Sequence, residues 1–163
     1  MKLNSDSTKS KVDKGYVSVD LAYFQCGRLR ELVANQGIKP IDDGDFHVTV
    51  AYDKELIDNT LDIDIDKNRL YEAKVIGVEL MGEVKDGLQS AVALTLESEE
   101  LVEEHFKWMA AGYEHGWPEY IPHMSVAYDV PVKDSERLVK ALEPYIGRTF
   151  YFVNLSAEPV NNN

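Results

Sequence analysis

The heptapeptide HVTVAYD at residues 47–53 returns as HMSVAYD at residues 123–129, with five of the seven positions identical. Both copies alternate in character and are rich in β-branched residues, so each is predicted to be a strand. A repeat of this kind indicates that the chain is built from two related halves. The fold prediction therefore starts from these two strands.

Strand geometry gives each copy two different faces, because successive side chains point to opposite sides. One face of each copy carries an imidazole and a hydroxyl, two residues apart: His47 with Thr49, and His123 with Ser125. Strict alternation adds the small residues Ala51 and Ala127 to this face and keeps it open. It assigns Tyr52 and Tyr128 to the opposite, apolar face, which can pack against a helix.

The surrounding sequence repeats the order strand, helix, loop, histidine strand. Alternation predicts further strands at 16–22, 70–80, 88–96 and 149–155. Helical spacing predicts helices at 27–35, 98–112 and 134–145. Ser98 is the predicted cap of the second helix, and Asp134 or Ser135 that of the third. A turn is predicted at 81–87, and a polar loop at 53–68 with an extended piece at 62–66. Two βαβ lobes related by a pseudo-twofold axis would place the two histidine strands side by side. The predicted fold class is α+β.

The length of 163 residues predicts one domain with a substantial core. We expect a flexible tail at residues 1–14, which lack the apolar stretch of a signal peptide, and a single domain at 15–160. Its lobes would cover about 15–66 and 67–160, with strands exchanged between them. No apolar run is long enough for a membrane span. The single cysteine, Cys26, excludes an internal disulfide and a cysteine zinc site, and a cytoplasmic setting is expected.

The charge of the chain limits its partners. There are 29 acidic and 17 basic residues, for a net charge of −12. Proteins that hold duplex DNA or long RNA usually present a basic face to the phosphates, so neither is expected as a partner. A small anionic ligand enclosed in a pocket is compatible with this charge. We expect a monomer.

The paired motifs suit phosphodiester chemistry. A histidine titrates near neutral pH, so one of two facing histidines can accept a proton while the other donates one. The hydroxyls of Thr49 and Ser125 can bind non-bridging phosphate oxygens. Two imidazoles and two hydroxyls are a poor site for a hard cation, so we predict no metal and no cofactor. His105 in a helix and His115 in a loop lack this pattern and are assigned structural or surface roles, and Trp108 is expected in the core.

Two His-x-[Thr/Ser] motifs in paired βαβ lobes resemble the 2H phosphoesterase superfamily, over residues 16–159. The resemblance implies a bilobal fold with antiparallel sheets around a central groove. Three pieces are similar to the phage anti-CBASS phosphodiesterases: GY at 15–16, WPEYIPHMSVAYD at 117–129 and AEP at 157–159. That family cleaves cyclic di- and trinucleotide messengers of a bacterial abortive-infection system, which implies action in the cytoplasm of an infected bacterium.

The resemblance also implies roles for individual residues. His47 and His123 correspond to the acid–base pair, and Thr49 and Ser125 to the phosphate ligands, although the family usually has threonine at the second hydroxyl. Four further positions are nucleotide-binding candidates: Tyr16, which matches a base-stacking tyrosine; Glu158, which matches a pocket glutamate; Met81, near the place of a stacking tryptophan; and Trp117, by aromaticity alone.

The expected function is metal-independent hydrolysis of cyclic di- or trinucleotides, such as 3′,3′-cyclic GMP–AMP, to linear products. A substrate 2′-hydroxyl beside the scissile linkage is held close, which favours it over water as the nucleophile. Two alternatives stay open within the same chemistry: 2′,3′-cyclic phosphate at RNA ends, and an ADP-ribose-derived cyclic phosphate. Two alternatives are not enzymes: a non-catalytic sponge that sequesters a cyclic nucleotide, and a structural module.

Overall fold

The computed structural model describes residues 7–13, 15–53, 60–114 and 119–159. These residues form eight strands and three α-helices, in this order: β1 (Ser7–Asp13), β2 (Gly15–Leu21), α1 (Tyr23–Asn35), β3 (His47–Tyr52), β4 (Thr60–Asp66), β5 (Tyr71–Lys85), β6 (Leu88–Glu97), α2 (Glu99–Ala110), β7 (His123–Pro131), α3 (Val132–Leu142) and β8 (Thr149–Pro159). Short 3-10 turns lie at Asp43–Asp45 and Glu143–Tyr145. The predicted α+β class is confirmed.

Six of the strands form one antiparallel sheet in the order β3-β2-β8-β5-β6-β7. The two histidine strands, β3 and β7, are its edges. Strand β3 pairs with β2, and helix α1 connects the two. Strand β7 pairs with β6, and helix α2 connects them. The C-terminal strand β8 joins the two halves, because it pairs with both β2 and β5. The pseudo-twofold axis and the lobe boundary near residue 66 stay predictions.

The two edge strands approach one another. Cα atoms of β3 and β7 come within 8 Å, and the backbone N–H of Ile41, just before β3, donates to the carbonyl of Val126 on β7 at 3.4 Å. A six-stranded sheet whose edges meet must curl. This curl places the two histidine-bearing strands next to each other even though they are the outermost strands of the sheet.

The helices bury apolar stripes at helical spacing, as the periodicity predicts. Leu29 and Val33 on α1, Leu101 and Trp108 on α2, and Leu138 on α3 are fully buried. The prediction that Trp108 belongs to the core is confirmed. Among the described residues, no helix has the length and apolar character required to cross a membrane.

The cap predicted for α2 is present, and the one predicted for α3 is wrong. The hydroxyl of Ser98 accepts a hydrogen bond from the Leu101 N–H at 3.1 Å, which satisfies a free donor of the first turn of α2. Helix α3 instead begins at Val132, straight after Pro131. Ser135 lies inside the first turn, where its hydroxyl donates to the Val132 carbonyl.

Within the predicted tail, Ser7–Asp13 forms β1 and pairs antiparallel with β4. An extended segment leaves its backbone N–H and C=O groups without partners, so β4 requires a neighbouring strand. Within the described part of the chain, β1 supplies it. The remaining residues of the predicted tail lie outside the described ranges, and the flexible tail at 1–14 stays a prediction.

Two strands run further than predicted. Strand β5 continues to Lys85, so the turn predicted at 81–87 shrinks to Asp86 and Gly87, which both have positive φ. The Asp-Gly pair favours a two-residue hairpin turn. Strand β8 continues to Pro159, because its last residues pair with β2.

Helix α1 begins at Tyr23, four residues before the predicted start. Its first turn is fixed by a tertiary contact that periodicity does not reveal. The side-chain amide of Gln25 donates to the Thr149 carbonyl at 3.0 Å and accepts from the Tyr151 N–H at 2.8 Å. The amide thus ties the start of α1 to β8.

Gly77 on β5 provides a test of the sheet packing. A Cβ at this position would lie 2.7 Å from Oγ1 of Thr95, which is buried on β6 opposite it. We expect Gly77→Ala to destabilise the fold by about 1–3 kcal/mol, because overpacking displaces a buried neighbour. Chemical denaturation of both proteins measures the difference.

Gly27→Ala is the matched control. A Cβ at Gly27 meets nothing within 4 Å, and the residue lies inside α1. This substitution should stabilise the fold by about 0.5–1 kcal/mol, because alanine favours the helix. Equal effects of the two substitutions would contradict the packing described for β5 and β6.

Candidate active site

The two histidine strands carry a β-bulge at the same position of the repeat. The pairing of β2 with β3 skips Val50, and the pairing of β6 with β7 skips Val126. Each bulge lies one residue after the hydroxyl of its motif, Thr49 or Ser125. Bulges bend a strand and change the direction of the side chains that follow, and they are frequent beside active sites.

The bulges correct the predicted faces of the motif. Ala51 and Ala127 are fully buried instead of lining the open face, and Tyr52 and Tyr128 leave the apolar face. The ring of Tyr52 contacts that of Tyr16 at 6.2 Å between centroids. The prediction of strict alternation was wrong after the fourth residue of each copy, because the extra residue of the bulge shifts the alternation by one.

The carbonyls at the bulges accept hydrogen bonds from the other half of the chain. On β3, the Val50 carbonyl accepts from Nδ1 of His105 on α2 at 2.7 Å, and the Thr49 carbonyl accepts from the Tyr120 hydroxyl at 2.7 Å. The His105 and Tyr120 rings stack with centroids 4.0 Å apart and planes at 4°. On β7, the Val126 carbonyl accepts from Ile41. Each half therefore supplies hydrogen-bond donors to the carbonyls at the bulge of the other half.

His105 thus has the structural role that the sequence suggests, and it supports a site strand. Burial lowers the pKa of His105, although the bond to Val50 acts in the opposite direction. Burial also raises the pKa of the Tyr120 hydroxyl, which remains a hydrogen-bond donor. The sequence analysis did not identify Tyr120, whose role depends on a contact between residues 71 positions apart.

The two motif histidines are anchored in the same way. Nδ1 of His47 donates to the Asp45 carbonyl at 2.7 Å, and Nδ1 of His123 donates to the Ile121 carbonyl at 3.3 Å. In both cases the acceptor lies two residues before the histidine. Because a carbonyl only accepts, Nδ1 carries the hydrogen and Nε2 is the nitrogen left for proton transfer.

The first hydroxyl has an aromatic neighbour. The hydroxyls of Thr49 and Tyr16 share a hydrogen bond of 2.8 Å, and the Tyr16 ring meets His47 edge to face at 5.9 Å. Burial raises the pKa of Tyr16, and its bond to Thr49 opposes the increase. The structure thus brings three predicted site residues together. Ser125 lies half-buried at the matching position of β7.

A carboxylate that the sequence analysis missed lies beside His47. Asp20 on β2 is its direct cross-strand partner, whereas Thr95 on β6 is the partner of His123. Burial raises the pKa of Asp20, and the charge of the nearby His47 works against that increase. The available signal was spacing, because Asp20 follows Tyr16 by four residues on one strand and therefore shares its face.

The other candidates are distributed as follows. Glu158 on β8 is the exposed cross-strand partner of Tyr16. Met81 is half-exposed on β5, where it pairs with Ala91 on β6. Trp117 and His115 lie outside the described residues. Within the ranges that are described, no three His, Cys, Asp or Glu side chains come together as a metal site.

A groove of about 620 Å³ opens beside His47, within the usual range for small-molecule sites. Tyr128 and Asp129 from β7 line it together with the loop before β3, so it spans the two edge strands. Lys39 is the cation of this lining, beside Asp42 and Asp45. The groove therefore offers hydrogen-bonding groups and aromatic surface more than positive charge.

The chain thus has an α+β fold whose sheet edges meet, and each of these edges carries an anchored histidine and a hydroxyl. The family model described as anti-CBASS protein Acb1 matches residues 13–158. The chain belongs to the anti-CBASS protein Acb1 family. An anti-CBASS protein Acb1 of Vibrio phage KVP40 is 33% identical over 90 residues, which are 55% of this chain and 55% of that protein. The chain thus spans about half the length of this relative.

The support that His105 gives to β3 can be tested with His105→Phe, which keeps a ring against Tyr120 and removes the donor to Val50. We expect a loss of about 1–3 kcal/mol in unfolding free energy at pH 7.5, because a buried carbonyl loses its partner. The loss should become smaller as pH falls below about 6.5. There His105 takes up a proton in the unfolded wild type but not in the folded one, so the wild type loses stability that the variant, which lacks this histidine, keeps.

Urea denaturation of the wild type and the variant at several pH values between 7.5 and 5 measures this difference. His105→Asn is the matched control, because its amide can donate in place of Nδ1, and it should retain more stability than His105→Phe. A gap between wild type and His105→Phe that is constant with pH would contradict the described role of His105.

Proposed function

We propose that the chain is a phosphodiesterase that cleaves cyclic di- or trinucleotide messengers to linear products, and that it thereby blocks CBASS signalling in an infected bacterial cell. The observation that carries the proposal is the matched anchoring of His47 and His123, each through Nδ1 to the carbonyl two residues earlier. Membership of the anti-CBASS protein Acb1 family supports the substrate class. The proposal includes the kinship with 2H phosphoesterases that the motifs suggest.

Anchoring through Nδ1 supports acid–base catalysis. It fixes the ring and leaves Nε2 of each histidine for the reacting atoms. One imidazole, neutral, removes a proton from the nucleophile, and the other, protonated, donates a proton to the leaving oxygen. The hydroxyls of Thr49 and Ser125 bind the non-bridging oxygens, whose negative charge grows in the transition state.

The nucleophile proposed is the 2′-hydroxyl of the substrate. Its oxygen attacks the adjacent phosphorus while one histidine takes its proton, and the bond from phosphorus to the 5′-oxygen breaks as the other histidine protonates that oxygen. The product is a linear nucleotide with a 2′,3′-cyclic phosphate. Water then opens the cyclic phosphate with the two histidines in exchanged roles, which returns the enzyme to its starting state.

The net charge of the chain restricts how an anionic ligand can be bound. Recognition of an anionic ligand by a chain of net charge −12 has to come from directed hydrogen bonds, since the global field is repulsive. Hydroxyls and imidazoles on two adjacent strands provide such bonds. The same donor set suits proton transfer better than coordination of a hard cation, so the proposal needs no metal.

The first test is turnover of 3′,3′-cyclic GMP–AMP in excess EDTA, followed by chromatography. Wild type should convert it to a linear product, and His47→Asn and His123→Asn should each be slower by about 10²–10⁴-fold, because acid–base catalysis is lost. Asparagine is chosen because its amide can keep the bond made by Nδ1. Tyr23→Ala, which removes an exposed ring at the start of α1, is the control and should retain activity.

The outcomes separate the alternatives. Binding of the dinucleotide without turnover by wild type would favour the sponge. Loss of activity in EDTA that is restored by a divalent ion would refute the metal-free mechanism. With neither binding nor cleavage, oligonucleotides that end in 2′,3′-cyclic phosphate become the substrates to test.

A second test uses the nucleophile itself. A cyclic dinucleotide that lacks both 2′-hydroxyls should bind, since the phosphates and bases are unchanged, and should resist cleavage. Chromatography after prolonged incubation with wild type, beside the ribose form as control, measures the ratio of the two rates. Cleavage of the deoxy compound at a comparable rate would exclude attack by the 2′-hydroxyl.

A further inference from the structure

Two arginines line a cavity that is separate from the histidine groove. Arg28 on α1 and Arg148, in the turn before β8, contribute to a cavity of about 330 Å³, a volume within the usual range for small-molecule sites. Among the described residues, none lines both this cavity and the groove beside His47. The cavity is therefore a distinct place on the molecule.

These two arginines differ from the other three arginines of the chain in their ionic contacts. Arg30, Arg69 and Arg137 each form a salt bridge with a carboxylate. Within the part of the chain that the structure describes, Arg28 and Arg148 form none. In a chain with 29 acidic and 17 basic residues, arginines without a carboxylate partner are unexpected, and here both line one cavity.

The backbone of Arg148 is fixed on both sides. Its N–H donates to the Tyr145 carbonyl at 2.9 Å, and its carbonyl accepts from the Val75 N–H on β5 at 2.9 Å. The preceding residue, Gly147, has a φ of 95°, which favours glycine, and its N–H donates to the Val75 carbonyl at 2.8 Å. The Arg148 guanidinium lies over the Tyr145 ring, with Cζ 5.1 Å from the ring centre. Arg148 is thus held beside the cavity.

Tyr145 lines the same cavity and lies close to both arginines. Its side chain is buried, and its ring meets that of Phe150 edge to face at 5.6 Å between centroids. Burial raises the pKa of Tyr145, and the charges of Arg148 and Arg28 oppose that increase. Both guanidinium groups are therefore near enough to act on the Tyr145 hydroxyl, so their positive charges are concentrated in one region.

The remaining lining adds aromatic surface and no acid. No Asp or Glu is found among the described residues that line this cavity, and Glu31 lines an adjoining one. Phe24 lies one helical turn before Arg28, so the two side chains share a face of α1. The Phe24 ring is 74% exposed, and it lines the cavity. A cationic pair and an open aromatic ring thus occur side by side.

We infer that this cavity is a second ligand site, which binds a nucleoside monophosphate through Arg28 and Arg148, with the base against Phe24. The planar fork of an arginine matches the oxygens of a phosphate. An aromatic ring offers a stacking surface to a base. The inference does not depend on the proposed cleavage of cyclic dinucleotides, because these residues lie outside the histidine groove.

The test locates binding on the molecule. Isotopically labelled protein is titrated with 5′-AMP, with inorganic phosphate and with adenosine, and amide shifts are followed by NMR. We expect 5′-AMP to shift the amides of Arg28, Gly147 and Arg148. Inorganic phosphate should shift the same amides with a higher Kd, because it lacks the base. Adenosine should also bind more weakly than 5′-AMP, because it lacks the phosphate.

Variants of the exposed lining residues assign the contacts. Arg28→Ala and Arg148→Ala should each raise the Kd of 5′-AMP at least about fivefold, because a charge-assisted hydrogen bond is lost. Phe24→Ala should weaken 5′-AMP and leave the Kd of inorganic phosphate unchanged. Arg30→Gln is the matched control: it removes the same charge from the same helix, but Arg30 is paired with Asp43, so the Kd should match wild type.

Three results would overturn the inference. They are shifts confined to the groove beside His47, a rise in Kd for Arg30→Gln equal to that for Arg28→Ala, which would indicate a general effect of charge, and equal Kd values for inorganic phosphate and 5′-AMP, which would exclude a nucleotide as the ligand. Failure of the proposed function has a different signature, since loss of dinucleotide turnover would leave these titrations unchanged.

Discussion

Each histidine strand carries an extra residue, and the carbonyls at these bulges depend on donors from the opposite half of the chain. His105 of α2 binds the Val50 carbonyl of β3, and the N–H of Ile41 before β3 binds the Val126 carbonyl of β7. A buried carbonyl without a partner is costly, so each bulge is stabilised by the donor that the opposite half supplies. The curl of the sheet, the side-by-side histidine strands and the direction of Tyr52 and Tyr128 all depend on this exchange.

The same exchange bears on the proposed binding of an anionic ligand by an acidic protein. A backbone carbonyl anchors each of His47 and His123, and Thr49 bonds to Tyr16, so the directions of these hydrogen-bonding groups are fixed. Directed donors act at short range, whereas the repulsion from a net charge of −12 is screened over about 8–10 Å at physiological salt. Local geometry can therefore prevail over global charge for a small ligand.

The two histidine strands share several local features and differ in the residues around them. Both have the bulge, the anchored histidine and the hydroxyl, but Asp20 faces His47 where Thr95 faces His123, and Tyr16 stands where the second half has Ala91. Under the proposed function, the shared features are the ones that would contact the phosphodiester, and the differing ones lie around them. If the proposed function holds, two halves that differ in this way would contact the two ends of a cyclic ligand differently.

The sequence alone determined the α+β class, the two strands, the histidine–hydroxyl faces and the Ser98 cap, because each depends on residues within a few positions. It did not determine the bulges, since a register is defined only by the partner strand; strict alternation therefore misplaced Tyr52 and Tyr128. The pairing of β1 with β4 and the contacts of Tyr120, His105 and Gln25 were out of reach for the same reason. Those contacts join residues far apart in the chain, and only the folded backbone decides which distant groups complete one another's hydrogen bonds.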